Sequence, residues 1–451
     1  MSQRKEMLMK NVEYVGYSDL NRKPGFQMAM HKTKDSSYYL YTASFRDNGF
    51  NIVDVTDPAN PVAKWIEGDW ISDEHDGQGL PKIQAAEGKL ITFHGGTAAP
   101  LHGTKDHCPF WGGFKIWDIE TDPLNPRFLG QFECEPPGAH RSFYNGGDYV
   151  YCMGGKKGFL GFVLRIVDIS DPANPVEVSS FWSDGQFLSN HKASDMPPLG
   201  SEAFMQMPLQ HACTMKDDVV YAAMPNVGFC LIDVKDKTNP KLIGKLPINP
   251  AFGGGQGGAA VHTAMPLGDR PYGIVTSEGE RVRYFSNERT EGMFHKITTQ
   301  PMNLIGMVEL TDPSRPSLIS VFPYPEVPEG YTHGTNFNVV DGVRTVFGPH
   351  NMFDAFGPEC YEKRDDRVYN AYFHAGLRIY DVSDPFVPKE IGYFIPPDPE
   401  GPNWFDNPEG TLLPGPKVAI TEDVIVDDRG YIYVDTFQDG LYIVRYTGDD
   451  K

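Results

Sequence analysis

The 451-residue sequence contains no run of about 18 apolar residues, so no segment is expected to span a membrane as a helix. Its first residues, MSQRKEMLMKNVEY, lack the apolar core of a secretory signal. Cysteine is sparse, with six residues (Cys108, Cys134, Cys152, Cys213, Cys230, Cys360) and no CxxC pair. These absences predict a cytoplasmic protein with reduced thiols, without a disulfide framework. Positive charge is also short: 40 Lys and Arg stand against 60 Asp and Glu, a net charge of −20. That balance argues against nucleic acid or an anionic membrane surface as partner, and leaves open an anionic small molecule in a local positive site. No linker or low-complexity stretch divides the chain, so residues 1–451 read as one domain.

What the sequence has in quantity is one phrase. DVTDPANP (54–61) returns as DIETDPLNP (118–126), DISDPANP (168–175), DVKDKTNP (233–240), ELTDPSRP (309–316) and DVSDPFVP (381–388). Each copy follows a short run rich in β-branched residues, such as GFNIVDV or LRIVDI, and precedes another, such as PVEVSSF or PKEIGYF. Asp accepts backbone N–H groups in an Asx-turn and Pro presets φ, so each phrase predicts a turn between two strands. Two further strands upstream complete a four-stranded unit that recurs every 40–50 residues or so, the signature of a propeller. The last unit, YIYVDTFQDGLYIVRYTG, has no outer strand, and NVEYVGYSDL (11–20) resembles one. The expected fold is therefore all-β: a seven-bladed β-propeller closed by the N-terminal strand, residues 11–20 lying beside 440–447. Insertions are expected on one face at about 95–113, 182–210, 278–302 and 332–366.

The phrases LRIVDISDPANPVEV and GLRIYDVSDPFVPKEIG resemble the LVIVD-repeat family. The resemblance covers the hairpins around the ring and implies the propeller fold. It implies almost nothing about activity. Many members carry signal peptides, from which this chain departs.

Placed on that frame, twelve of the 13 histidines fall on one face. A lone loop histidine is usually only a polar surface group. His75, His140, His211, His262 and His333, however, each fall where an innermost strand begins, at the rim of the central channel. Imidazoles from different blades would converge there on a metal, as Zn, Fe, Mn or Cu sites require. His140, His211, His262 and His333 are the expected ligands, with His75 as ligand, close neighbour or catalytic group. His350, His374 and His94 are the alternatives, and His350 competes directly with His333 for the sixth unit. Gln27 and Glu422 occupy the corresponding places in the first and last units, which makes Glu422 either a carboxylate ligand or an acid/base group facing the metal. Glu74, Glu202 and Glu278 could orient ligands. Arg46, Arg141 and Arg281 could hold a substrate carboxylate. Aromatic residues in the insertions (Phe110, Trp111, Phe187, Phe204, Tyr284, Phe294, Phe337, Phe347, Phe353) would roof a small apolar pocket.

Two candidate motifs carry less. GGGQGG (253–258) lacks the Lys-Ser/Thr of a phosphate loop, and is expected to be a loop over the channel. Cys213, two residues after His211, reads as a packed core thiol.

The site so read predicts an enzyme with one divalent metal, Fe(II) preferred and Mn, Zn or Cu possible, acting on a small organic acid or aromatic. Axial histidines on a propeller resemble the architecture of carotenoid cleavage oxygenases, though not their motifs, and an Fe(II) oxygenase is the first expectation. A redox-neutral lyase or hydrolase using Mn or Zn is the second, and a non-catalytic interaction propeller the third.

Overall fold

In the computed structural model, the residues described are 4–44, 47, 49–68, 78–96, 111–187, 189, 210–224, 227–248, 261–278, 303–340, 343–344, 347–355, 357–400, 417–437 and 439–448. Among them the chain is almost entirely β, with a single short 3-10 helix at Leu20–Arg22. The strands form five four-stranded sheets, one eight-stranded sheet and a two-stranded ladder. The eight-stranded sheet is two four-stranded ones that touch through the pairing of Gly138 with Gly95.

Five four-stranded units among the described residues repeat one plan. In the first, Met28–Lys32, Tyr38–Ala43, Gly49–Asp54 and Val62–Glu67 pair antiparallel in chain order. Burial falls across it: Gly49–Asp54 is buried for five of its residues, while Val62–Glu67 alternates exposed and half-buried. The two inner strands therefore read as near-continuous apolar runs and the outer one shows a period of two.

The repeated phrase is a double turn. The first Asp accepts the amide two residues on (Asp54 from Thr56 at 3.0 Å, Asp168 from Ser170 at 2.8 Å). The second does the same: Asp57 accepts Ala59 N at 3.1 Å and Asp171 accepts Ala173 N at 3.1 Å. The Asn that follows donates its side-chain amide back to that Asp, at 2.8 Å in both copies. Two Asx-turns in tandem use every polar residue of DxxDPxNP, which is why the phrase recurs wherever strand three meets strand four.

The first residues split between two sheets. Leu8–Lys10 pairs with Lys389–Ile395, and Val12–Ser18 pairs with Leu441–Tyr446. Asn11, at φ 52°, marks the break, and its side chain donates to Ile391 O at 2.7 Å. The Leu8–Lys10 strand was not expected from the sequence. Val12–Ser18 carries Gly16, where a Cβ would lie 2.2 Å from Pro58 O in the first unit's turn. Gly130 meets Pro172 O in the same way, at 2.0 Å. The outer strand of one unit thus seats on the turn of the next, and only glycine leaves room for it. No helix among the described residues is long and apolar enough to cross a membrane.

Candidate metal centre

Four histidines share one backbone position. His140 N donates to Met153 O, His211 N to Ala223 O, His262 N to Thr276 O and His350 N to Ala371 O, at 2.7–2.9 Å. In each case the histidine opens an innermost segment and its amide pairs with the far end of the second strand. Gln27 holds the same place in the first sheet, where its carbonyl accepts Ala43 N at 2.9 Å.

The rings stand in a row. His140 and His211 centroids are 4.9 Å apart, His211 and His262 4.6 Å, and His262 and His350 4.8 Å. Phe162 stacks on His140 at 5.4 Å and Phe373 on His350 at 4.5 Å, closing both ends with apolar faces.

Hydrogen bonds fix two of the tautomers. His211 Nδ1 lies 3.1 Å from His262 O and His350 Nδ1 lies 2.8 Å from Glu422 O. A carbonyl only accepts, so both Nδ1 atoms carry the proton and both Nε2 atoms present lone pairs. His262 Nδ1 is held by Thr263 Oγ1 at 2.9 Å. The Nε2 atoms of His140 and His211 are 3.2 Å apart. Two nitrogens bound to one ion at ~2.0–2.1 Å with tetrahedral angles stand about 3.4 Å apart, so this spacing suits a shared metal. Glu278 joins them: one ligand atom from each of His211, His262 and Glu278 lies within 4.8 Å of the others. Burial first, then repulsion from Arg141, lowers the His211 pKa to about 3, and the same two causes push His262 well below the usual imidazole range. Neutral imidazole is the form that binds a metal.

Glu422 is fully buried, and its Oε2 lies 3.2 Å from His350 Nδ1, the nitrogen facing away from Nε2. It therefore stands behind the ring and orients it. Arg141 Nη2 lies 2.9 Å from His350 Nε2 and so sits inside the centre. Lys82, fully buried, holds Nζ 4.1 Å from the Phe26 ring centroid. Beneath the histidines lies a cavity of about 50 Å³ lined by Arg141, Cys213, Asn351, Asp354 and Asp423 among others.

The row differs from the expected set of histidines in one member. His333 does not join the row: its Nε2 lies 2.8 Å from Asp398 Oδ2, in a buried group with Arg4, Tyr331 and His374. The expectation treated VRTVFGP as the sixth unit's second strand, but among the described residues Val343–Arg344 pairs only with Val339–Val340. Arg367–Ala371 takes that place, and the inner segment beside it contains His350. His374 bonds Tyr331 OH at 2.7 Å, and burial lowers its pKa to about 3. His94 is buried against Trp111, with Nε2 2.9 Å from Thr92 Oγ1.

His75, Glu74, Glu202, Arg46, Arg281 and GGGQGG lie outside the described residues, as do Phe110, Phe204, Tyr284 and Phe294. Of the expected roof, Phe337 and Phe347 stack on each other at 5.9 Å and Phe353 packs on Tyr361 at 5.4 Å, as core residues. Phe187 is exposed against Phe159. Cys213 is a buried thiol, its Sγ 3.5 Å from Tyr151 O.

The fold is all-β and of propeller type, built from four-stranded antiparallel sheets. Residues 36–66 and 146–182 match the LVIVD repeat, each covering strands two to four of one sheet. No curated protein matches the chain. Among solved structures it is similar to Raptor of Chaetomium thermophilum, at 10% identity and a TM-score of 0.53 over 98% of this chain and 30% of that one. It is also similar to a hypothetical selenium-binding protein of Sulfolobus tokodaii, at 14% identity and a TM-score of 0.50 over 88% and 82%. The β-propeller domain of Cps50 (Swd1) from Myceliophteria thermophila follows at 10% and 0.48, over 94% and 98%. At these identities the likeness concerns the fold alone.

Proposed function

We propose that the chain is a seven-bladed propeller, closed by Val12–Ser18, that holds one divalent metal on its axis through His140, His211, His262 and His350. The metal serves an enzyme acting on a small organic acid or aromatic. The observation that carries the reading is the shared backbone position of the four histidines, with rings under 5 Å apart in sequence around the row. Closure is supported by the contact between the last and first units, where Met28 N donates to Asp423 Oδ2 at 2.7 Å.

An all-imidazole set leaves the ion's charge uncompensated, which suits Fe(II) and an anionic ligand, and also admits Mn, Zn or Cu. Glu278, whose carboxylate lies within 4.8 Å of the His211 and His262 ligand atoms, would serve as a further ligand or as the proton acceptor. Glu422 acts through His350, as a positioning residue. Oxygen-dependent chemistry on iron is the first reading of the reaction.

The test is anaerobic purification, metal quantification and reconstitution with Fe(II), Mn(II), Zn(II) or Cu(II), then a metabolite screen with and without O2. One metal per chain, lost in His211→Ala and His262→Ala without loss of fold, is the expected result. Turnover that persists without O2 and with Zn(II) turns the reading to a lyase or hydrolase. A metal-free, inactive protein under all loadings overturns it.

A further inference from the structure

One side chain in the histidine row works against a cation. Arg141 Nη2 donates to His350 Nε2 at 2.9 Å, and that is the ring's only lone pair, because Nδ1 donates to Glu422 O. A guanidinium does not give up its proton in a protein. A fixed positive charge therefore rests on the atom a metal needs, 7% exposed and enclosed with it.

The cavity beneath has the complementary shortage. Arg141 forms part of its wall, and so do Asp354 and Asp423. Burial, then repulsion from Asp423, raises the Asp354 pKa to about 7, and burial raises Asp423 to about 6 against the opposing pull of Met28 N–H, Lys82 and Arg141. Asn351, on the same wall, is 3% exposed, and neither Oδ1 nor Nδ2 has a hydrogen-bond partner among the described residues. A water needs ~10–15 Å³ of such space, so about 50 Å³ admits a planar guanidinium head or a few waters. Carboxylates are among the acceptors that such a head pairs with most strongly, and the carboxamide oxygen adds a neutral one.

We propose that Arg141 has two positions. It rests on His350 Nε2 when the centre is empty, and withdraws into the chamber between Asp354, Asp423 and Asn351 when a divalent metal takes that nitrogen. The proposal rests on the reading of the histidine row as a metal centre. In the first position the guanidinium is a resident cation that holds His350 in its metal-ready tautomer. In the second it neutralises the chamber. Metal affinity is then set by the difference between two sites for one guanidinium, and each site responds to the other by the same factor.

The experiment uses the full chain, stripped of metal and titrated with Zn(II), and with Fe(II) under anaerobic conditions. Arg141→Met removes the competing charge but keeps the stem, and should bind metal about tenfold more tightly. Asp354→Asn weakens the withdrawn position, and should bind about tenfold more weakly; in the Arg141→Met background the same change should have no effect. A crystal structure of the metal-loaded protein should show the guanidinium in the chamber. Unchanged or weaker binding by Arg141→Met overturns the proposal, as does a guanidinium still on His350 beside a bound metal. If neither wild type nor Arg141→Met takes up metal, the metal-centre reading itself fails, a result distinct from these.

Discussion

At the residue scale, the described histidines divide into those whose rings meet in the row and those engaged elsewhere. His350→Ala should empty the metal site, whereas His333→Ala should leave its content unchanged, because His333 is engaged by Asp398. Metal quantification on the two purified variants separates them. His374 allows a separate pH prediction. Burial lowers its folded pKa to about 3 from the usual 6.5. The unfolded chain therefore takes up a proton below pH 6.5 that the folded chain refuses, and stability is lost as pH falls through that value. Between pH 6.5 and 5.5 His374 alone should cost ~1 kcal/mol or so. His374→Gln should show a correspondingly flatter change in urea midpoints between those two pH values. An equal slope in both proteins would remove His374 as a source of acid sensitivity.

Much at this scale was legible and some was not. His140, His211 and His262 could be placed from their spacing to the second strand, because those units have short connections. His350 could not be separated from His333, because VRTVFGP and RVYNAYF are both short, apolar and β-branched, and pairing partners decide between them. Lys82, Asp354 and Asp423 lie on different segments that only the packed sheets bring together. The one local signal was TEDV, two acidic residues opening a strand whose six residues are all buried.

At the element scale, the double Asx-turn is the unit of design. Asp171→Ala removes the acceptor of Ala173 N and of the Asn174 side chain. The turn is solvent-exposed, so the loss should be ~1 kcal/mol, read as a lower denaturant midpoint with an unchanged slope. Gly130→Val should cost more, because its Cβ would lie 2.0 Å from Pro172 O, a backbone atom that cannot step aside alone. A Gly130→Val protein as stable as wild type would show that neighbouring sheets do not lock through this contact. The turns were readable because their hydrogen bonds span only two or three residues. The glycine contacts were not, since they join strand to turn across separate sheets.

At the scale of the whole molecule, the N-terminal stretch ties the chain together at two places. Deleting residues 1–20 removes both Leu8–Lys10 and Val12–Ser18, and exposes the edges of Lys389–Ile395 and Leu441–Tyr446. Lower thermal stability and concentration-dependent aggregation should follow. A truncated chain that melts and stays monodisperse like the full one would refute the role of these strands. The missing outer strand at the C-terminus made Val12–Ser18 legible. Nothing in LMK announced a second strand, because three residues carry no period.

The pairing of Glu13 with Arg445 also has a meaning in time. During synthesis Val12–Ser18 emerges long before its partner Leu441–Tyr446. Until then it is a strand without a ladder, carrying Tyr14 and Tyr17, both exposed in the finished protein. Contacts of such length are slow to form, and waiting edges are sticky. A circular permutant that starts between Glu400 and Lys417 would place the two strands on adjoining stretches of chain. Refolding of that permutant from urea should be faster than that of the natural order, at similar final stability, if assembly of this sheet limits the rate.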